Sequence, residues 1–170
     1  LSCIPTNEFW IDAETNPEER HFFIDHLITE QRALAKGLPR KDAAELADKL
    51  EKRERAKLLH LRDTSSKKDI SEIISKIHRT HLPEYRGKIA IWLVNGTEVR
   101  NYFSPEYFEG GHDLVYNFIP SLEIWIEEIL SYQEQKFIIL HELHERFLMS
   151  EGKDYHHAHP GATQIEDRYR

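Results

Sequence analysis

The sequence predicts an α+β fold in which a small antiparallel sheet is packed by helices. Strand-like patterns gather after Gly87, whereas helical periodicity dominates the first half and the C-terminal part of the chain. The same passage also occurs twice. Residues 4–55 align without a gap with residues 119–170, and 16 of the 52 aligned positions are identical. An ungapped register of this length predicts a duplicated strand–helix–helix unit.

The duplication divides the chain into three predicted parts. Residues 1–63 form a first, degenerate repeat half, residues 64–87 a linker helix, and residues 88–170 a complete second repeat. Residues 88–118 lead into the second copy, but nothing equivalent precedes the first, and the chain begins with Leu1. We therefore expect a fragment of a longer protein. The alternative is that the first copy has lost its opening half.

The first copy contains one strand signal and two helix signals. Glu8–Asp12 carries aromatic and β-branched residues, which favour a short strand. Pro17 is typical of a first helical turn, and the helix that follows should end at Gly37, where a left-handed cap is expected. Pro39 begins a second helix with apolar residues at helical spacing, which is expected to reach about Leu61.

The middle of the chain contains a linker, a helix and a turn signal. Asp63–Ser66 is polar throughout and predicts the linker. Ile70–Ile77 has the spacing of an amphipathic helix. The dipeptide Asn95-Gly96 between two apolar segments predicts a β-hairpin with a type I′ turn.

The last part of the chain repeats the strand–helix–helix order. Residues 112–119 predict a third strand, and Glu123–Glu127 predicts the strand of the second copy. A long helix is expected over Gln133–Ser150. The final helical segment, residues 154–170, should be kinked or restarted at Pro160.

Composition excludes several classes of function. The net charge of −7 argues against nucleic-acid binding, which needs clustered Lys and Arg. No apolar segment approaches the roughly 20 residues of a membrane span. A single cysteine leaves no internal disulfide and favours a cytoplasmic, intracellular protein. A peptide or protein is the expected partner, and a homo-oligomer is compatible with the composition.

The predicted helix over Gln133–Ser150 carries the main candidate site. Apolar residues surround it, so it should be buried. His141 and Glu145 are spaced i and i+4 and therefore share a face inside the protein. A buried carboxylate beside a buried imidazole needs a partner, because unpaired burial costs several kcal/mol. A metal ion is one such partner.

Two further residues complete a candidate metal site. His159, across the turn at Gly152, is a candidate third ligand with His141 and Glu145. Two nitrogens and one carboxylate leave a position open, as in catalytic zinc sites and in the facial triad of non-haem iron. Zinc is the expected cofactor, with iron or manganese as alternatives. Glu142, next to His141, is the candidate general base for a water activated by the metal.

The pattern His141-Glu142-x-x-Glu145 resembles the active-site helix of zincin-like metallohydrolases, which carries H-E-x-x-H. The resemblance covers residues 131–166. It implies a ligand role for His141 and the role of base for Glu142. The second histidine of the family pattern is Glu145 here. The sequence therefore predicts a metal-dependent, metallopeptidase-like hydrolase of peptide or amide bonds.

The first copy supports a second, non-catalytic hypothesis. It keeps His26 and Glu30, equivalent to His141 and Glu145, but has Leu27 and Ala44 in place of Glu142 and His159. The retained His/Glu pairs are equally compatible with a structural or protein-interaction module in which they stabilise helix packing. A hydrolase needs a cleft open to solvent above His141, whereas the module predicts a sealed face. We expect a pocket beside the second copy only.

Two residues near the site leave alternatives open. His144 is an alternative ligand, one helical turn from His141. Glu166 is either an additional ligand or hydrogen-bond acceptor beside His159, or part of a salt bridge between helices, since Glu51 occupies the same place in the first copy.

Overall fold

The computed structural model describes residues 4–5, 8–59, 67–85 and 87–170. The α+β prediction is confirmed: helices predominate, and one small sheet lies among them. The helices are α1 (Arg20–Ala35), α2 (Arg40–Leu59), α3 (Lys67–Ile77), α4 (Gly96–Tyr102), α5 (Tyr132–Ser150) and α6 (Tyr155–Tyr169). The strands are β1 (His78–His81), β2 (Ala90–Val94), β3 (Gly110–His112) and β4 (Glu123–Glu127). None of the helices in these described ranges is long and apolar enough to cross a membrane.

The sheet is mixed, not antiparallel as the sequence predicts. Its strand order is β1-β2-β4-β3. The central strands β2 and β4 run parallel, with Trp92 opposite Trp125, and the two edge strands are antiparallel to their neighbours. The parallel pair arises because Asn95 does not turn the chain back on itself. Its side chain accepts a hydrogen bond from the backbone N–H of Glu98 at 3.1 Å and caps α4.

Apolar side chains pack against both faces of the sheet. One cluster places Trp125 and Val94 against α3 and α4, through Ile77 and Val99. The other buries isoleucines of β2 and β4 against α5. The sheet is therefore held between α3 and α4 on one face and α5 on the other.

The helix pairs α1/α2 and α5/α6 are built alike. In sequence, α1 ends at Ala35 and α2 begins at Arg40; adding 115 gives the end of α5 and the start of α6. The turns contain Gly37 with φ +87° and Gly152 with φ +96°, a left-handed conformation that favours glycine. Backbone hydrogen bonds across each turn close the preceding helix in the same way.

The prediction of a strand in the first copy is wrong. Glu8–Asp12 adopts no strand in the structure, although its equivalent, β4, is the buried centre of the sheet. A strand forms only with a neighbour to pair its backbone groups, and β4 has β2 and β3 on either side. The predicted strand–helix–helix unit is thus a helix pair in the first copy and complete in the second.

Three other predictions differ from the structure or lie outside it. Of the strand predicted over residues 112–119, only His112 lies in a strand, at the end of β3, and turns follow it. Helix α6 continues through Pro160 without restarting. Ile70–Ile77 is helical as predicted, but β1 follows it directly and has no sequence signal. The linker predicted at Asp63–Ser66 lies outside the described residues.

A buried ionic network fixes the first helix pair to the rest of the protein. Arg100 of α4 donates to both carboxylate oxygens of Glu19, at 2.9 and 2.6 Å, and to Glu127 of β4. Arg55 of α2 donates to Glu19 at 2.6 Å and to Glu51 at 2.9 Å. Because every member is buried, loss of one charge leaves another unpaired at a cost of several kcal/mol.

Candidate metal centre

Helices α5 and α6 position the three predicted ligands. Ser131 caps α5 by accepting a hydrogen bond from the N–H of Glu134, and Asp154 caps α6 in the same way. Ala158 and Ala162 are completely buried between the helices, and their small side chains allow close approach. The face of α5 that carries the site is buried as expected, whereas Phe147 on another face is exposed.

The donor atoms of His141, Glu145 and His159 converge. Nε2 of His141 lies 3.2 Å from Nδ1 of His159 and 3.6 Å from Oε2 of Glu145. The third side of the triangle, from Nδ1 of His159 to Oε2 of Glu145, is 2.6 Å. The predicted ligand set is therefore brought together around one point.

The three residues fit a divalent ion by spacing and by chemistry. Donors bound about 2.0–2.2 Å from one four-coordinate ion lie roughly 3.3 Å apart, and the observed triangle brackets that separation. Two imidazoles and one carboxylate are ligands that zinc prefers. His144, the alternative ligand, belongs to neither group of convergent metal-ligating side chains within the described residues.

Glu166 orients the ring of His141. Nδ1 of His141 lies 2.8 Å from Oε2 of Glu166, and Arg170 donates to the other oxygen of that carboxylate at 2.7 Å. The carboxylate accepts a hydrogen bond from the N–H at Nδ1, which leaves the lone pair of Nε2 directed to the centre. Glu166 therefore contacts His141, not His159. Its salt bridge with Arg170 runs along α6 at i, i+4 and is not the salt bridge between helices that the sequence left as an alternative.

His112 is a functional candidate that the sequence analysis missed. It is completely buried on β3, and its Nε2 lies 3.2 Å from Oε1 of Glu145. Its Nδ1 accepts a hydrogen bond from the backbone N–H of Leu114 at 3.2 Å. This bond places the ring proton on Nε2, so His112 donates to Glu145.

The same tautomer decides between two metal arrangements. His112, Glu142 and Glu145 form a second group of convergent ligand atoms. A metal at Nε2 of His112 would need the proton on Nδ1, where the N–H of Leu114 already points. We therefore assign His112 to the positioning of Glu145 and the centre to His141, Glu145 and His159.

Glycines bring β3 and α5 close enough for this contact. A Cβ atom on Gly110 would lie 2.7 Å from Ile138 of α5, which is too close for any other residue without movement. Arg146 of α5 also donates to Asp113, one residue beyond His112, at 2.6 Å. The Gly110-Gly111 pair was the sequence signal for a close approach of β3 to another element. His112 and Glu145 are 33 positions apart, however, and no local pattern connects them.

The two carboxyl groups of α5 at the site, Glu142 and Glu145, ionise differently. Burial raises the pKa of Glu142 to about 8, and the charge of Glu145 adds to this effect. Burial would also raise the pKa of Glu145, but the contacts with His112, His141 and His159 outweigh it and hold that pKa at about 2. Glu145 is therefore ionised at neutral pH, as a metal ligand would need to be, whereas burial favours the protonated form of Glu142.

The site opens to solvent on the α6 side. A cavity of about 300 Å³, here called the metal pocket, is lined by the three ligands together with Glu142, Glu166 and Tyr155. The side chain of His159 is 45 % exposed, whereas Glu145 is buried. The open side is the feature that distinguishes the hydrolase hypothesis from a sealed packing face.

The first copy keeps the outer part of this arrangement and lacks the centre. Nδ1 of His26 lies 3.0 Å from Oε2 of Glu51, as His141 does from Glu166. Ala44 stands in place of His159, so no third donor is supplied. The matched contacts favour the predicted duplication.

Comparisons with protein-family models, curated proteins and solved structures find no match to the chain. Fold and site therefore define only a class: an α+β protein with a candidate three-residue metal centre between two helices.

Proposed function

We propose that the protein is a metal-dependent hydrolase of peptide or amide bonds, with zinc as the ion and iron or manganese as alternatives. The observation that carries the proposal is the convergence of His141, Glu145 and His159 on a solvent-open pocket that also contains Glu142. The local resemblance to the zincin-like active-site helix supports the same class, with Glu145 in place of the second histidine.

Each residue has a separate role in this proposal. His141, Glu145 and His159 would hold the ion, which would supply Lewis acidity to water and to a carbonyl group. Glu142 would act in its ionised form, which a cation beside it would favour against the effect of burial on its pKa. In that form it would accept a proton from the attacking water and pass it to the leaving amine.

The non-catalytic alternative explains less of the arrangement. A pair that only stabilises packing accounts for His26 with Glu51 and for His141 with Glu166. It gives no reason for a third donor on α6, for an exposed ligand edge, or for a buried carboxyl at Glu142. In the first copy, Leu27 and Ala44 stand in place of Glu142 and His159, so both side chains are replaced together.

The partner and the compartment belong to the same proposal. A peptide or protein is the substrate class, and homo-oligomers are compatible with it. An intracellular location rests on the single cysteine of the chain.

Paired amide substitutions test the roles of Glu142 and Glu145. Glu142→Gln should keep the metal and abolish turnover, because the amide cannot accept a proton. Glu145→Gln should weaken metal binding itself, because it removes the anionic ligand. We would measure zinc content and cleavage of a mixed peptide library by mass spectrometry, with and without a chelator, and with zinc restored.

The matched control is Glu30→Gln, which is the change equivalent to Glu145→Gln in the first copy and should alter neither metal content nor cleavage. If Glu142→Gln loses metal as badly as His141→Ala, Glu142 is a ligand and its assignment as base is wrong. If the zinc-loaded wild-type protein cleaves no member of the library, the hydrolase proposal fails.

A further inference from the structure

A second cavity lies where the sequence predicts none. It has a volume of about 500 Å³ and lies between α1, α2 and residues 105–108. Leu27 and Ala44 line it, at the positions equivalent to Glu142 and His159 of the metal pocket. The expectation of a pocket beside the second copy only is therefore wrong. The replacement of two polar side chains by apolar ones leaves a site of different chemistry in the first copy.

Aromatic rings form one wall of this cavity, here called the aromatic pocket. Trp10 and Phe108 line it and are 58 % and 50 % exposed, although both are large apolar side chains. Phe23 is buried behind them, with its ring centroid 5.2 Å from that of Phe108. Exposed aromatic faces at the edge of a cavity attract apolar groups and cations.

Carboxyl groups also line the aromatic pocket. Asp48 of α2 and Glu106 line the pocket. Burial, followed by the nearby carboxyl group of Glu106, raises the pKa of Asp48 to about 6. Glu51 is instead satisfied by Arg55 at 2.9 Å and by His26 at 3.0 Å. Asp48 lies 3.7 Å from Nδ1 of His26, and no Lys or Arg of the described residues pairs with Asp48 or Glu106.

We propose that the aromatic pocket binds the guanidinium group of an arginine side chain. A guanidinium is planar, stacks on aromatic rings, and pairs with two carboxylate oxygens at once. The aromatic pocket offers both features in one cavity. The apolar stem of arginine would contact Leu27 and Ala44.

The position of the pocket suggests which arginine is bound. Phe108 lines both the aromatic pocket and the metal pocket, so the two cavities share a wall. An extended peptide with its amide bond at the metal pocket would place a nearby side chain in the aromatic pocket. This part rests on the proposed hydrolase function, and it predicts preferential cleavage near arginine.

The binding test uses N-acetyl-arginine amide, with N-acetyl-citrulline amide as its nearly isosteric neutral control. Calorimetric titrations are made on the full chain in the presence of a chelator, so that the metal site does not contribute. The variant is Asp48→Asn/Glu106→Gln, which removes both charges without a change of size. Glu45→Gln, on an exposed ion pair of the same helix, is the control variant.

We expect saturable binding of the arginine probe to the wild-type protein and to Glu45→Gln. Binding should be about tenfold weaker or more for the citrulline probe and for the double variant. Thermal unfolding of the double variant checks that it folds; if it does not, each single substitution is titrated instead. Equal binding of both probes, no saturable binding, or unchanged binding by the folded variants would overturn the proposal. Because the titrations are made without metal, none of these outcomes bears on the hydrolase proposal, which is tested separately by metal content and cleavage.

Discussion

Nδ1 of His141 lies 2.8 Å from a carboxylate oxygen of Glu166, and the equivalent pair of the first copy, His26 and Glu51, is 3.0 Å apart. Each glutamate also accepts a hydrogen bond from an arginine one helical turn later, at 2.7 and 2.9 Å. The protein thus contains its own internal control: the same outer contacts occur with and without a candidate metal centre.

The first prediction uses this internal control. Glu166→Gln should lower zinc affinity about 10- to 100-fold, because the amide no longer fixes the ring of His141 as the carboxylate does. Glu51→Gln makes the same change in the first copy and should leave zinc affinity unaltered. Competition with a chromophoric chelator measures both. Equal zinc affinities for the two variants would show that Glu166 only stabilises helix packing.

The second prediction concerns His112. His112→Phe should weaken zinc binding, because Glu145 loses the donor that orients its second oxygen. His112→Gln keeps an N–H donor and should recover part of that affinity, although both variants remove the acceptor for Leu114. Zinc affinity and thermal stability are measured together. If the two variants bind zinc equally well and differ only in stability, His112 has a packing role.

The third prediction concerns acid stability. Burial would raise the pKa of Glu19, but hydrogen bonds from Arg100, Thr97 and Arg55 outweigh it and hold the pKa at about 2, below the ordinary 4.5. A carboxylate with a lowered folded-state pKa stabilises the fold above about pH 4.5 and loses that effect as the pH falls towards 2.

Glu19→Gln should therefore lower the melting temperature near neutral pH and flatten its fall between pH 4.5 and 2. Glu145, whose pKa is also held at about 2, contributes to the slope in both proteins, so the measured quantity is the difference between them. Parallel melting-temperature curves for the variant and the wild type would contradict the assignment.

Local sequence signals predicted much of the helical structure. Pro17, Gly37 and Gly152 mark helix ends through their own backbone preferences, and the structure has the helices there. Asn95-Gly96 was misinterpreted because asparagine serves equally in a hairpin turn and as a helix cap. The side chain of Asn95 alone does not decide between a hairpin turn and a helix cap. The glycine that follows has a tertiary role instead: Gly96 lies against Glu127, where a Cβ atom would be 2.1 Å from the carboxylate.

Long-range contacts account for what the sequence did not predict. The predicted metal ligands lie on consecutive helices, so helical spacing and one turn were enough to bring them together. His112 reaches Glu145 only because β3 pairs with β4 and packs beneath α5. The aromatic pocket was missed for the same reason, since Phe108 and Glu106 lie far in sequence from Trp10 and Asp48.

The metal stoichiometry of the chain is the decisive measurement for the proposed metal centre. We would measure bound zinc, iron and manganese by elemental analysis of the wild-type protein, His141→Ala and the matched variant His26→Ala. We expect close to one ion per chain for the wild type and His26→Ala, and almost none for His141→Ala. No metal in the wild-type protein, even after incubation with zinc, or equal metal content in all three proteins, would contradict it.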